Sequence, residues 1–119
     1  MSQYYEMAGR TLWNPSNGAS RLFLRQVADF EAELGQTSGI GPMVDDESEI
    51  DPAVFGAFVR ALAAWHGRTC HHGVLRALSE GFVATTLALA ERAGTPWEEE
   101  VSDPRLRERA REMLRDLAP

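Results

Sequence analysis

Two Asp-Pro pairs, at residues 51–52 and 103–104, constrain the fold of this chain more than any other feature of its sequence. At a helix start, the aspartate side chain accepts a hydrogen bond from a first-turn amide, and proline loses nothing by lacking an amide hydrogen. Gly35, Gly67 and Gly94 each follow a run with apolar positions at helical spacing, and glycine often lies just beyond a helix end. These signals predict four helices, bounded by residues 18 and 35, 51 and 67, 70 and 93, and from 104 onwards.

Bulky apolar residues recur three and four positions apart in the first three predicted helices, which places them on one face of each. We expect one continuous core stripe made of Phe23, Val27, Phe30, Phe55, Phe58, Leu62, Leu75, Leu78 and Phe82. The third helix also has a face of small residues around Ala84, Ala88 and Ala90, which permits close approach of another helix or of a partner chain.

The N-terminal segment has a different pattern, because residues 3–13 form two short β-prone runs around Ala8-Gly9. We interpret it as a small hairpin. Residues 35–50 contain three glycines, a proline and the acidic run 45–49 without usable periodicity, and they predict a long loop. The predicted fold is therefore mainly α, with a short N-terminal β hairpin, three core helices and a C-terminal amphipathic helix.

The segment after Pro96 is predicted to stand apart, as a hinge and amphipathic helix over residues 97–119 beside a single helical domain over 1–96. Its apolar seam is narrow, and arginine and glutamate cover the rest of the helix; the seam residues are Leu106, Ala110, Met113 and Leu117. Such a seam must be covered, either by the same chain or by a second copy. We predict a homodimer to which this helix contributes, with Arg105, Arg109 and Arg115 free to meet acids on the partner.

Composition narrows the class of partner. The chain has 119 residues, a formal net charge of −6 and one cysteine, and all twelve basic residues are arginine. We interpret the absence of lysine as the codon bias of a GC-rich genome. The net negative charge argues against nucleic acid as a binding partner, because the phosphate backbone is also negative. With no apolar run near the roughly 18 residues of a membrane span and no signal-like N-terminus, we expect a cytoplasmic protein without a membrane partner.

Four sequence stretches carry a family resemblance: TLWNPSN at 11–17, GIGP at 39–42, IDP at 50–52 with Phe55, and LSEGFVA at 78–84. Together they make the chain resemble a family of small actinobacterial proteins of unknown function over residues 2–94. The resemblance implies a single-domain protein and brings no catalytic or ligand residue with it. The segment beyond Pro96 lies outside it.

The densest group of metal-capable side chains is His66, Cys70, His71 and His72, and imidazole with thiolate suits zinc or copper. His66 and Cys70 share a helical face only if the helix continues past Gly67. Neighbouring residues on a helix point about 100° apart, so Cys70, His71 and His72 cannot all bind one ion. We predict no metal site and no cofactor, and we expect Cys70 to be dispensable for folding. The acidic residues 45–51 are likewise interpreted as a solvated loop, suited to partner recognition, and not as an ion site.

The same residues offer the alternative of an enzyme. His66 is the best base for a Cys70 nucleophile, and Glu80 is a further polar candidate beside an interhelical pocket. No arrangement of these residues makes a strong catalytic constellation, and we predict no catalytic residue. The favoured function is a small acidic non-catalytic interaction protein, an accessory or immunity-type partner. The alternative is a small enzyme or ligand carrier that uses the segment of His66, Cys70, His71 and His72.

Overall fold

A computed structural model describes residues 1–117 and confirms a mainly helical chain that follows an N-terminal hairpin. The elements are β1 (Tyr4–Met7), β2 (Arg10–Trp13), α1 (Asn17–Leu34), β3 (Glu47–Glu49), α2 (Pro52–Thr69), α3 (Gly73–Ala93), a 3-10 turn (Glu98–Glu100) and α4 (Pro104–Leu117). The last two positions of the predicted C-terminal segment, 97–119, lie outside the described residues.

The predicted helix boundaries are correct at most ends. Asp51 Oδ1 accepts from the Val54 amide at 3.2 Å, and Asp103 Oδ1 accepts from the Arg105 amide at 2.9 Å. Gly35 and Gly94 end α1 and α3 with left-handed backbones. The prediction for Gly67 was wrong.

Helix α2 continues through Gly67 to Thr69, and Cys70 caps it with a right-handed backbone. Glycine inside a helix costs about 0.5–1 kcal/mol relative to alanine but is tolerated, so its position alone does not mark a stop. Consequently α3 begins at Gly73, three residues after the predicted start at 70.

The sheet has the order β2-β1-β3, and it corrects the interpretation of residues 35–50 as loop throughout. Strand β3 pairs in parallel with β1, beside the predicted antiparallel hairpin of β1 and β2. Ser48 is buried and its hydroxyl donates to the Gly41 carbonyl at 2.7 Å, while Glu47 and Glu49 on either side are exposed. A strand of three residues is too short for its alternating pattern to be recognised in the sequence.

Two glycines allow this connection to lie close to α2 and β3. A Cβ at Gly39 would lie 2.7 Å from the Phe55 nitrogen, and Gly39 has a φ of +78°. A Cβ at Gly41 would lie 2.8 Å from the Glu49 carbonyl oxygen. Only glycine fits backbone approaches this close, which accounts for the GIGP stretch in structural terms.

The core follows the predicted stripe in α1 and α2 but only part of it in α3. Buried members are Phe23, Val27, Phe55, Phe58, Leu62 and Phe82, and Phe30 packs against them half-buried. Leu75 is 41% exposed and Leu78 is 74% exposed, so their assignment to the core was wrong. Helical spacing identifies an apolar face, but it does not show whether a neighbouring helix covers that face.

Helix α4 packs along α3, and its seam residues Leu106 and Ala110 are each 1% exposed. Ala84, Ala88 and Ala90 of α3 are buried as well. The seam is therefore covered within the chain. Arg109, expected to be free, lies 3.4 Å from Glu80 and 3.1 Å from Glu112.

By length and composition α3 could cross a membrane, which corrects our expectation that no stretch would qualify: its best 18-residue window has a mean hydropathy of 1.3. Half of that window is buried inside the fold, and one such helix is weak evidence for a membrane span.

The corrected core predicts which truncations are costly. We expect Phe58→Ala or Phe82→Ala to lower the free energy of unfolding by about 3–5 kcal/mol, because each leaves a cavity. Leu78→Ala is expected to cost under about 0.5 kcal/mol, since most of its surface is in water. Denaturant unfolding measures all three. Losses under about 1 kcal/mol at both phenylalanines would contradict this account of the core.

Tyr5 is the one large polar side chain that the hairpin places inside the core. It is fully buried, and its hydroxyl shares a 2.9 Å hydrogen bond with Ser20 of α1. Burial raises the pKa of Tyr5 above the usual 10.0, and the hydrogen bond to Ser20 only partly opposes this. The unfolded chain therefore releases the phenol proton at a lower pH than the folded chain does.

We predict that the chain loses stability as pH rises through 10.0, the unfolded Tyr5 value, because ionisation then favours the unfolded state. With no lysine and with arginine always charged, tyrosine is the principal titrating side chain in this range. Tyr5→Phe should cost about 1–3 kcal/mol at neutral pH, because Ser20 loses its partner, and should flatten the alkaline decline. Exposed Tyr4→Phe is the control and should keep the wild-type slope; equal slopes in all three proteins would refute this.

Candidate functional site

Three side chains that could hold a metal meet where the end of α2 lies beside the start of α4. They are His66, Cys70 and Asp103, and each offers one ligand atom that lies within 4.8 Å of the other two. Because α2 continues past Gly67, His66 and Cys70 lie one turn apart on the same helix. We call these three residues the α2–α4 cluster, and within residues 1–117 it is the one group of at least three such residues that meets this distance.

His66 is the buried member, at 3% exposure. Its Nε2 lies 4.0 Å from Asp103 Oδ2, which is beyond hydrogen-bond distance. Burial lowers the pKa of His66 below 6.5; the charges of Asp103 and Glu80 act against this, and that of Arg76 adds to it. Burial therefore favours the neutral ring, which has one nitrogen lone pair available.

Asp103 is held in place by its role at the start of α4. Its Oδ1 accepts from the Arg105 amide at 2.9 Å, while Oδ2 is the oxygen nearer to His66. Sequence reasoning identified Asp103 only as a cap. Nothing local connects it to His66, because their proximity depends on how α4 packs against α3.

The other predicted candidates lie elsewhere. His71 and His72 are exposed, and their rings contact each other with centroids 4.1 Å apart. Glu80 lies 3.4 Å from Arg109, so it joins α3 to α4. The structure therefore brings two of the four predicted metal-capable residues together and adds Asp103.

The arrangement of these three side chains suits the binding of one ion better than it suits nucleophilic catalysis. One nitrogen of His66 lies within 4.8 Å of both the Cys70 sulfur and an Asp103 oxygen. In a Cys-His-Asp relay, the acid and the nucleophile use opposite ring nitrogens. Here the acid and the thiol both lie within 4.8 Å of one nitrogen, which is closer to a set of ion ligands than to a relay, although atoms bound to one ion lie nearer to one another.

A second feature is a groove between α1 and α3, which we call the α1–α3 groove. It holds about 180 Å³ and is lined by Asp29, Phe30, Glu33, Trp65, Leu75, Leu78 and Ser79. Its α3 side includes the exposed leucines that were assigned to the core, and Val74 beside them is 75% exposed. The groove is open to solvent, and none of its lining residues is a histidine or cysteine.

A family model matches the chain from residue 1 to residue 119. The chain belongs to DUF6086, a family of unknown function. No curated protein and no solved structure matches it. The DUF6086 match also covers the segment beyond Pro96, so our expectation that this segment lies outside the family was wrong.

The half-buried Cys70 is expected to matter little for folding of this DUF6086 protein in the absence of metal. We predict that Cys70→Ser changes the free energy of unfolding by less than about 1 kcal/mol in the presence of a chelator, since a partly exposed small side chain contributes little burial. Denaturant unfolding with excess EDTA measures this. A larger loss would show that the thiol packs as part of the core.

Proposed function

We propose that this DUF6086 protein is a non-catalytic interaction protein, an accessory or immunity-type partner, whose α1–α3 groove receives a helix of another protein. The observation that carries the proposal is the exposure of Leu75 and Leu78 beside Phe30 and Trp65. Contiguous exposed apolar side chains in a concave surface are typical of sites that bind an amphipathic helix.

Charge at the groove indicates what kind of helix fits. Asp29 and Glu33 lie one helical turn apart along its α1 side, and the protein as a whole carries a net charge of −6. A partner helix with an apolar stripe flanked by arginine or lysine would place opposite charges against these carboxylates. We therefore propose a basic amphipathic helix as the occupant.

A second copy of the chain is a less suitable occupant. In a twofold dimer the same patch faces itself, so each groove would offer the other two carboxylates and no arginine or lysine from its lining. The α4 seam that motivated a homodimer is covered by the chain's own α3. A homodimer that includes α4 stays a prediction, and light scattering of the full chain tests it.

The enzyme or carrier alternative receives less support from the groove. Its volume, about 180 Å³, is below the roughly 300 Å³ at which small-molecule sites begin. Ser79 is its hydroxyl residue, and that hydroxyl already donates to the Leu75 carbonyl at 2.7 Å. Actinobacterial origin and a cytoplasmic location also belong to this proposal as predictions from the sequence.

The proposal is tested by selecting a displayed library of amphipathic helical peptides, both basic and acidic, against the full-length protein. We expect basic peptides to be enriched and to bind more weakly as salt concentration rises, because opposite charges are screened. Leu78→Glu should weaken their binding at least about 10-fold, since it places a charge in the apolar contact. Val44→Glu is the matched control, because Val44 is exposed at 61% and lies outside the groove.

Enrichment of acidic peptides, or binding equally weakened by Leu78→Glu and Val44→Glu, would contradict the proposal, and so would the absence of any enriched peptide. Light scattering of the same proteins distinguishes the other occupant. A dimer that Leu78→Glu converts to a monomer would assign the groove to a second copy of the chain.

A further inference from the structure

We propose that His66, Cys70 and Asp103 bind one zinc ion between the end of α2 and the start of α4. The proposal is independent of the groove and of its partner helix. It also goes against our sequence-based expectation of no metal site, which did not connect Asp103 with His66 and Cys70.

The first argument is that the three ligand atoms lie close together. Ligand atoms around a tetrahedral zinc ion lie roughly 3.3–3.6 Å apart, given metal–ligand distances of about 2.0–2.3 Å. The three atoms of the α2–α4 cluster are within 4.8 Å of one another, so a contraction of about 1 Å brings them into range. Cys70 lies at the C-terminal end of α2 and Asp103 precedes α4, and side chains at helix ends adjust more readily than those in helix interiors.

The second argument is that the ring of His66 is available to a metal. Its side chain is 4% exposed, and Asp103 Oδ2 lies 4.0 Å from Nε2, which is beyond hydrogen-bond distance. An ion at the point where the Cys70 sulfur and the Asp103 carboxylate approach the ring would therefore displace no hydrogen bond between His66 and Asp103.

The third argument is the chemistry of the donors. One imidazole nitrogen, one sulfur and one carboxylate oxygen form a mixed set that suits zinc, whereas magnesium and calcium take oxygen ligands. A thiolate and a carboxylate together neutralise the two positive charges of the ion. Asp103 is also oriented for the role, because Oδ1 is held by the Arg105 amide at 2.9 Å and Oδ2 is left for the metal.

Three protein ligands leave the fourth position of a tetrahedral site to water. The ion would tie the end of α2 directly to the start of α4. Among the salt bridges of residues 1–117, the 4.0 Å approach of His66 to Asp103 is the one that joins these two places. Zinc should consequently raise the thermal stability of the whole chain, because it binds only the folded arrangement of the three ligands.

The experiment uses the full chain, freed of metal with a chelator and then titrated with zinc and, separately, with cobalt as a spectroscopic probe. We expect one equivalent of zinc to bind at micromolar concentration and to raise the Tm, and cobalt to give a thiolate charge-transfer band. Magnesium and calcium should do neither. Cys70→Ser should abolish the charge-transfer band and weaken zinc binding at least about 10-fold.

Two variants locate the site. Asp103→Asn keeps a capping oxygen for the Arg105 amide but removes the anionic ligand, so it should also weaken zinc binding while circular dichroism stays unchanged. His72→Ala is the matched control, because this exposed histidine lies outside the cluster, and it should bind zinc as the wild type does.

Three results would overturn the proposal. The first is the absence of saturable zinc binding to the wild-type chain. The second is binding that Cys70→Ser and Asp103→Asn leave unchanged. The third is binding lost in His72→Ala, which would move the ion to the exposed histidine pair. The cobalt spectrum of the wild-type chain tests thiolate ligation even if a variant fails to fold.

Discussion

The stacking of Phe82 against α1 is the contact on which the arrangement of the helices depends. Its ring lies 4.4 Å from that of Phe30 and 5.6 Å from that of Phe23, and Phe30 in turn meets Trp65 of α2 edge-on at 5.3 Å. This chain of rings joins α1, α2 and α3 around one buried point. Aromatic contacts of this kind combine large buried area with a preferred geometry, so they define the relative positions of the helices closely.

The position of this contact along α3 explains the division of that helix into two parts. Residues after Phe82, such as Val83 and Leu87, are buried. Residues before it, such as Leu75 and Leu78, extend along the C-terminal end of α1 without a helix to cover them. The α1–α3 groove is therefore a direct consequence of where the ring contact falls, and so is the error in the sequence-based core.

Helix α4 completes the core and also builds the α2–α4 cluster. Its apolar seam is buried in the fold. Polar contacts hold the segment that precedes the helix: the Trp97 indole donates to Glu91 at 3.0 Å, and Arg107 donates to the Val101 carbonyl at 2.7 Å. The same placement brings Asp103 beside His66. Asp103, which caps α4, is thereby also placed where it could bind a metal with His66, and the sequence alone does not show this.

The sequence by itself determined the helices, because capping by Asp51 and Asp103, termination at Gly35 and Gly94, and apolar spacing all act within a few residues. It also singled out His66 and Cys70 as candidates, but it placed a helix end at Gly67 between them, and only the structure puts both on α2. Only the tertiary structure decided that β3 joins the sheet, that Leu75 and Leu78 stay exposed, and that Asp103 approaches His66. Each of these depends on contacts between residues far apart in the chain, and local periodicity carries no information about which distant element covers a given face.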